Sequence, residues 1–208
     1  MLTLHLFGPP QLFIDGEPVN VTRRKSRALL YYLAAHAEPL TRDQILRFFW
    51  PDTERAAAQQ TLRTTLYGLR KALGEALLVD EERLSLAPDS QVDVRRFEAN
   101  LSPPVNDLPL LSETLDLYRG EFLEDVALPD TPEFEEWALV ERERYQRLMI
   151  RGLTALSRLY ESHHQSEAAL DTLRRALALD PFQEDLQRAA LRLHYLTGDR
   201  AGAISALR

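Results

Sequence analysis

One stretch, Ala56 to Gly74 (AAAQQTLRTTLYGLRKALG), constrains the chain more than any other, because two helical faces of opposite chemistry can be read from it. Leu62, Leu66, Leu69 and Leu73 recur at i, i+4, i+7 and i+11, which stacks them in one apolar stripe that has to be buried. Away from that stripe lie Gln60, Arg63, Thr64, Tyr67, Arg70 and Lys71, hydrogen-bond donors with one aromatic ring and no carboxylate among them. Gly74 after the last leucine predicts a C-cap, and Asp52 or Thr53 after Pro51 an N-cap, for a helix of about five turns. In isolation such a face could be merely solvated; the segments on either side decide between that and a face made for phosphate.

The 208-residue chain has a formal net charge of −7, which argues against nucleic acid until the charge is located. Residues 1–73 hold ten Lys/Arg against six Asp/Glu, whereas residues 74–208 hold fifteen against twenty-six. A phosphate backbone is approached by one face and not by the chain average, so the basic N-terminal third is the part that matters. The length gives room for two small domains. There is no cysteine, which excludes disulfides, thiolate metal sites and cysteine nucleophiles and fits a reducing compartment. The N-terminus MLTLHLFGPP lacks the pattern of a signal peptide, and the longest apolar run, Ala28 to Ala35, is too short to cross a bilayer. A cytoplasmic protein without membrane contact is expected.

Along the chain, Leu2, Leu4 and Leu6 alternate with Thr3, His5 and Phe7; a Gly8-Pro9-Pro10 break leads to Gln11–Ile14, an Asp15-Gly16 turn and Val19–Val21. This predicts a meander of three short strands, with His5 a strand residue. Thr22 is placed to cap a helix that opens Arg23-Arg24-Lys25-Ser26-Arg27 and continues through Ala28–Ala35. Four cations at a helix N-terminus oppose its dipole unless something negative lies beside them, and phosphate would supply that charge. Thr41 and Gln44 have the spacing of a capping box and open a short helix that ends near Phe49. Leu77–Val79 and Arg83–Leu86, joined by Asp80-Glu81-Glu82, predict a hairpin directly behind the basic helix. Three strands, three helices and a terminal hairpin describe a winged helix, whose third helix enters the major groove.

The run from Arg23 through LRTTLYGLRKALG, with Leu-x-x-Leu-Arg-Lys-Ala-Leu closing the third helix, resembles the effector domain of OmpR-type regulators. TRRKSRALLYYLAAH, Thr41-Arg42-Asp43-Gln44-Ile45-Leu46, Phe49-Trp50-Pro51-Asp52 and Val92-Asp93-Val94-Arg95-Arg96-Phe97-Glu98 are more closely similar to the SARP family of bacterial transcriptional activators. The hairpin departs from that family, with Leu84-Ser85-Leu86 where a Gly-Tyr pair is usual and an acidic tip, which leaves Arg83 as the wing's candidate contact. Gly68 also stands where a larger polar residue is common. Trp50 has two readings: a core plug between the second and third helices, which is favoured, or, from the OmpR-type resemblance, an indole N–H that reaches a phosphate.

Ala99–Leu110, with Pro103, Pro104 and Pro109, reads as a linker, followed by a long amphipathic helix from about Pro132 to Tyr160. Glu167–Leu173 matches Ala201–Leu207 at a period of 34, the tetratricopeptide spacing of paired helices. Tyr118-Arg119-Gly120 and these repeats resemble the bacterial transcriptional activation domain that follows the winged helix in the SARP family. The expected division is therefore a winged helix at 1–98, a linker at 99–109 and a mainly α, tetratricopeptide-like domain at 110–208. The chain stops at Arg208 within the first helix of a repeat, which suggests a fragment of a longer protein.

There is no phosphate-cradling Gly-rich loop, no His-Glu-x-x-His and no Gly-x-Ser-x-Gly, so no catalytic residue, cofactor or metal is expected, His163-His164 included. Glu133, Glu135 and Glu136 complement a helix N-terminus, and Trp137, Tyr145 and Tyr160 are read as packing between helices. The functional expectation is a sequence-specific DNA-binding activator. Arg63, Thr64, Tyr67 and Arg70 would read bases, while Arg23, Arg24, Lys25, Arg27, Gln60, Lys71 and Arg83 hold phosphates. The resemblance implies two copies head to tail on promoter direct repeats and recruitment of RNA polymerase. The alternative is a protein-interaction scaffold whose winged helix is a docking surface.

Overall fold

The computed structural model describes residues 1–102 and 105–198. Two compact units emerge, one of Met1–Arg96 with Arg119–Arg142, the other of Phe97–Tyr118 with Glu143–Arg208. These units do not follow the division at 98 and 110 expected from sequence, because residues 119–142 pack with the N-terminal elements.

In the first unit, β1 (Leu2–His5) pairs antiparallel with β2 (Gln11–Ile14), which pairs with β3 (Glu17–Pro18). The third strand is therefore not Val19–Val21. Asp15 and Gly16 both have positive φ, 51° and 85°, which makes a two-residue turn whose twist brings the chain back at once: Ile14 faces Glu17 and Phe13 faces Pro18. Then follow α1 (Arg24–Ala35), the short β4 (Leu40–Thr41), α2 (Arg42–Phe49) and α3 (Arg55–Leu73). A single 3₁₀ turn leads to the hairpin β5 (Leu77–Val79) and β6 (Arg83–Leu86), with the bounds that its apolar alternation implies. β4 adds to this hairpin in the order β4-β6-β5, and β7 (Gln91–Val92) runs parallel to β1 at the edge of the first sheet. Neither β4 nor β7 is legible from pattern. The fold is a winged helix, with Leu29, Leu30, Leu33, Ile45, Phe49, Leu62, Leu66, Leu69 and Leu84 buried between helices and sheets.

Helix ends report local chemistry. Thr41 accepts from the Gln44 amide while the Gln44 side chain accepts from the Thr41 amide, the capping box expected from sequence. α3 is capped by neither Asp52 nor Thr53 but by Glu54, whose carboxylate accepts from the Ala57 N–H at 3.0 Å. Glu54 reaches the donor three residues on with its longer side chain, so the turn after Pro51 needs no shorter cap. Gly74 closes the helix at φ 57°, a left-handed conformation that favours glycine. Thr22 does not cap α1; Arg23 occupies the N-cap position, extended and without a side-chain hydrogen bond.

α4 (Asp93–Leu101) starts at Asp93, a buried carboxylate that accepts from the amides of Leu6, Phe7 and Val94 at 2.8–3.1 Å. Burial raises its pKa, and the three amide donors oppose that shift. A strap at residues 119–131 pairs with the chain just beyond β1: Phe7 bridges Phe122, Leu123 N–H donates to Leu6 C=O, and Gly8 N–H to Glu121 C=O. Leu123 holds φ 52°, fixed by that bond and by Arg142, which donates to the carbonyls of Phe122 and Leu123 at 2.8 Å. Gly120 has to be glycine, since a Cβ there would lie 2.9 Å from the Gly8 Cα.

The second unit is all-helical. The expected linker is partly helix: α4 runs on to Leu101, and α5 (Leu108–Leu115) begins inside it, with Asp107 accepting from the Leu110 N–H. Pro109 marks a helix start rather than a linker here, because a first-turn proline lacks only an N–H that the helix does not use. α6 (Pro132–Ser162) contributes its later part, and α7 (Ser166–Leu179) pairs with α8 (Glu184–Leu196) across the Asp180-Pro181 turn. Glu167–Leu173 lies in α7; the matching Ala201–Leu207 lies outside the described residues. Tyr145 is fully buried and its ring meets Phe97 at 6.4 Å.

Candidate nucleic-acid interface

The leucine stripe of α3 is buried as predicted, with Leu62, Leu66, Leu69 and Leu73 all at 4% exposure or less. That fixes the helix's rotation and leaves Gln60, Arg63, Thr64, Tyr67, Arg70 and Lys71 on the outside. Tyr67 is 74% exposed, a large ring with no packing role in the free protein. The Thr64 hydroxyl donates back to the Gln60 carbonyl at 3.1 Å. Arg63 stands at the rim of a cleft of about 680 Å³ that is also lined by Thr41, Arg42, Gln59, Glu81 and Glu82.

Arg70 differs from its neighbours. Its guanidinium donates to the Val79 carbonyl at 3.1 Å, at the end of the first wing strand. Arg42 grips the next residue, donating to the Asp80 carbonyl at 3.0 Å. Asp80 in turn accepts from the amides of Glu82 and Arg83, which hold its carboxyl below the usual range. Two arginines and one aspartate thus fasten the wing turn to α2 and α3. The tip it presents, Asp80-Glu81-Glu82, is exposed and anionic, with Arg83 the exposed cation beside it.

The cluster before α1 divides in the same way. Arg23 and Arg24 are exposed. Lys25 is committed inward: its ammonium donates to the Phe49 carbonyl at 3.0 Å, the last of α2, and lies 5.4 Å over the Trp50 ring. Trp50 is 9% exposed and so takes the packing role of its two readings. Arg27 is half-buried and lines one cleft with Arg24, Tyr31 and two carboxylates of the strap, Glu124 and Asp125. Sequence reasoning missed this, because Glu124 and Asp125 are a hundred residues away and only the fold brings them near. It also missed Asp93 as the carboxylate that ties α4 to the end of β1. Among the described residues, no group of three or more His, Asp or Glu is placed to hold a metal.

A winged helix with an exposed, carboxylate-free third helix, followed in sequence by paired helices, defines the architecture of the SARP-type regulators. Residues 92–208 match the bacterial transcriptional activator domain, and the chain belongs to that family. It is 26% identical over 225 aligned residues to the transcriptional regulatory protein EmbR of Mycobacterium tuberculosis, covering all of this chain and 56% of EmbR. MoaR1, a transcriptional regulatory protein of the same organism, is 24% identical over 221 residues, covering 97% of this chain and 69% of MoaR1. The solved structure of M. tuberculosis EmbR in complex with a low-affinity phosphopeptide superposes with a TM-score of 0.77 at 25% identity, over 99% of this chain and 57% of that one. The chain thus spans a little over half the length of EmbR.

Proposed function

We propose that this protein is a transcriptional activator that binds duplex DNA sequence-specifically through α3. The observation that carries the reading is the outward face of that helix, where Gln60, Arg63, Thr64, Tyr67 and Lys71 are exposed and no carboxylate interrupts them. Arg63 and Tyr67 have the reach and chemistry for base edges, and Thr64 offers a methyl group suited to thymine. Arg23, Arg24, Gln60 and Lys71 contact phosphates on either side, with Arg27 and Arg83 at the margins. The anionic wing tip stays off the backbone. The paired helices of the second unit bind protein, and RNA polymerase is the partner that the family's activator role implies. Such a regulator works in the cytoplasm.

One reading helix contacts only a few base pairs, each worth about 1–3 kcal/mol of discrimination, which is thin against a genome of competing sites. Two copies are therefore required, and head-to-tail packing gives direct repeats spaced by about 10–11 bp or a multiple. Selection of bound sequences from a random duplex pool, followed by titration across salt, tests the reading. Direct repeats and a steep salt dependence are expected. Inserting about five base pairs between half-sites should abolish cooperative binding, and a full turn should partly restore it. A palindromic site would overturn the tandem arrangement; failure of the pool to yield any site would overturn DNA binding itself.

A further inference from the structure

Two of the described glycines lie inside α-helices, and only one has a reason to be glycine within the protein. Gly152 in α6 is required by packing, since a Cβ there would come within 2.5 Å of the Leu115 side chain. Gly68 in α3 is exposed, does not adopt positive φ, and a Cβ built on it meets nothing within 4 Å. Glycine in a helix interior is disfavoured relative to alanine because it has more backbone freedom to lose. At Gly68 the protein therefore carries a destabilising residue with no internal compensation. Its place is telling: exposed and one turn from both Thr64 and Lys71, it borders the face that bears the exposed donors, on the Thr64 side.

We propose that Gly68 is a clearance position, kept without a side chain so that the α3 backbone can sit close against duplex DNA. The inference rests on the DNA-binding reading above. Thr64 lies on the turn before the gap and Lys71 on the turn after it, so bringing the backbone in at Gly68 lets these two side chains approach the duplex more closely than a helix held off by one more side chain. Gly68 is then a specificity-determining residue through what it leaves out.

The test uses the full chain, the site selected from the random pool, and the variants Gly68→Ala and Gly68→Gln. Both replacements have higher helix propensity and a Cβ there meets no neighbour, so the free protein should melt about 2–4 °C higher for Ala. Binding should move the other way, weakened about fivefold or more by Ala and further by Gln, as expected for side chains forced into an occupied space. A variant that is more stable and binds as tightly as the parent overturns the clearance role while leaving DNA binding intact. A lower melting temperature for Gly68→Ala also overturns it, by revealing an internal need for glycine. A parent chain that selects no DNA site removes the inference together with the reading on which it rests.

Discussion

Arg63 and Arg70 are alike in sequence and unlike in the folded chain. Arg63 projects from α3 beside an open cleft, whereas Arg70 is tied to the Val79 carbonyl. Arg63→Ala should lose discrimination at one base pair, by about 1–3 kcal/mol, with an unchanged melting temperature. Arg70→Ala should instead weaken all sequences alike and loosen the wing, read as faster hydrogen exchange at the β5–β6 turn. If Arg70→Ala erased the preference at a single base pair and left the wing's exchange unaltered, Arg70 would be a base reader after all. Asp93 is a different kind of residue: its hydrogen bonds all come from backbone amides, and the side chains of Arg119 and His5 lie farther off, at 3.8 and 3.9 Å. Asp93→Ala strands the amides of Leu6 and Phe7 in the interior, and chemical denaturation should show a loss of about 2–4 kcal/mol. A loss below half a kcal/mol would mean that water replaces the carboxylate there.

At the scale of elements, helix α3 was legible because its period, its lack of acid and its terminal glycine all point the same way. The hairpin was legible because its apolar residues alternate on both sides of an acidic turn. What escaped were features set by partners distant in sequence. β4 and β7 are two residues each and exist only because β6 and β1 lie beside them. Lys25 looked like one of four equivalent cations, yet it donates to the C-terminal carbonyl of α2 and leaves Arg23 and Arg24 exposed. Arg24→Ala should therefore lower the salt slope of DNA binding by roughly one unit, while Lys25→Ala lowers thermal stability and leaves the slope nearly unchanged. The wing turn also has a pH signature. Amide donors hold the Asp80 carboxyl below its ordinary pKa of 3.8, so the contribution of this turn is complete above that value and is lost as pH falls through the lowered one. The Glu82 and Arg83 amide resonances should titrate with a midpoint below 3.8; a midpoint at or above it would contradict the capping role.

At the scale of the whole molecule, the boundary that matters is not where the sequence changes composition. The first compact unit includes residues 119–142, and the reason is an aromatic cluster centred on Trp137. Tyr32 stacks on Phe48 at 4.2 Å and meets Trp137 at 4.9 Å, while Phe122 and Phe134 approach the same indole at 5.5 and 5.3 Å. Phe122 and Phe134 are fully buried, and Phe134 also faces Phe49 at 6.2 Å. A fragment cut at residue 98 keeps every element of the winged helix but exposes this flank of α1 and α2, together with the backbone at Phe7, just beyond β1, that Phe122 bridges. Such a fragment should unfold at a markedly lower denaturant concentration than the full chain and bind a hydrophobic dye. In the full chain, Trp137→Ala should remove about 2–4 kcal/mol by opening the cluster, with no effect on the affinity of the folded protein for its selected DNA site, since Trp137 is not on the α3 face. Equal stability of the 1–98 fragment and the full chain would show that the winged helix is self-sufficient and that residues 119–142 merely rest against it. The predicted dependence has a functional corollary: if α3 reads DNA as proposed, it does so from a scaffold completed by residues 119–142, so damage there should reach DNA binding through folding, without any contact to DNA.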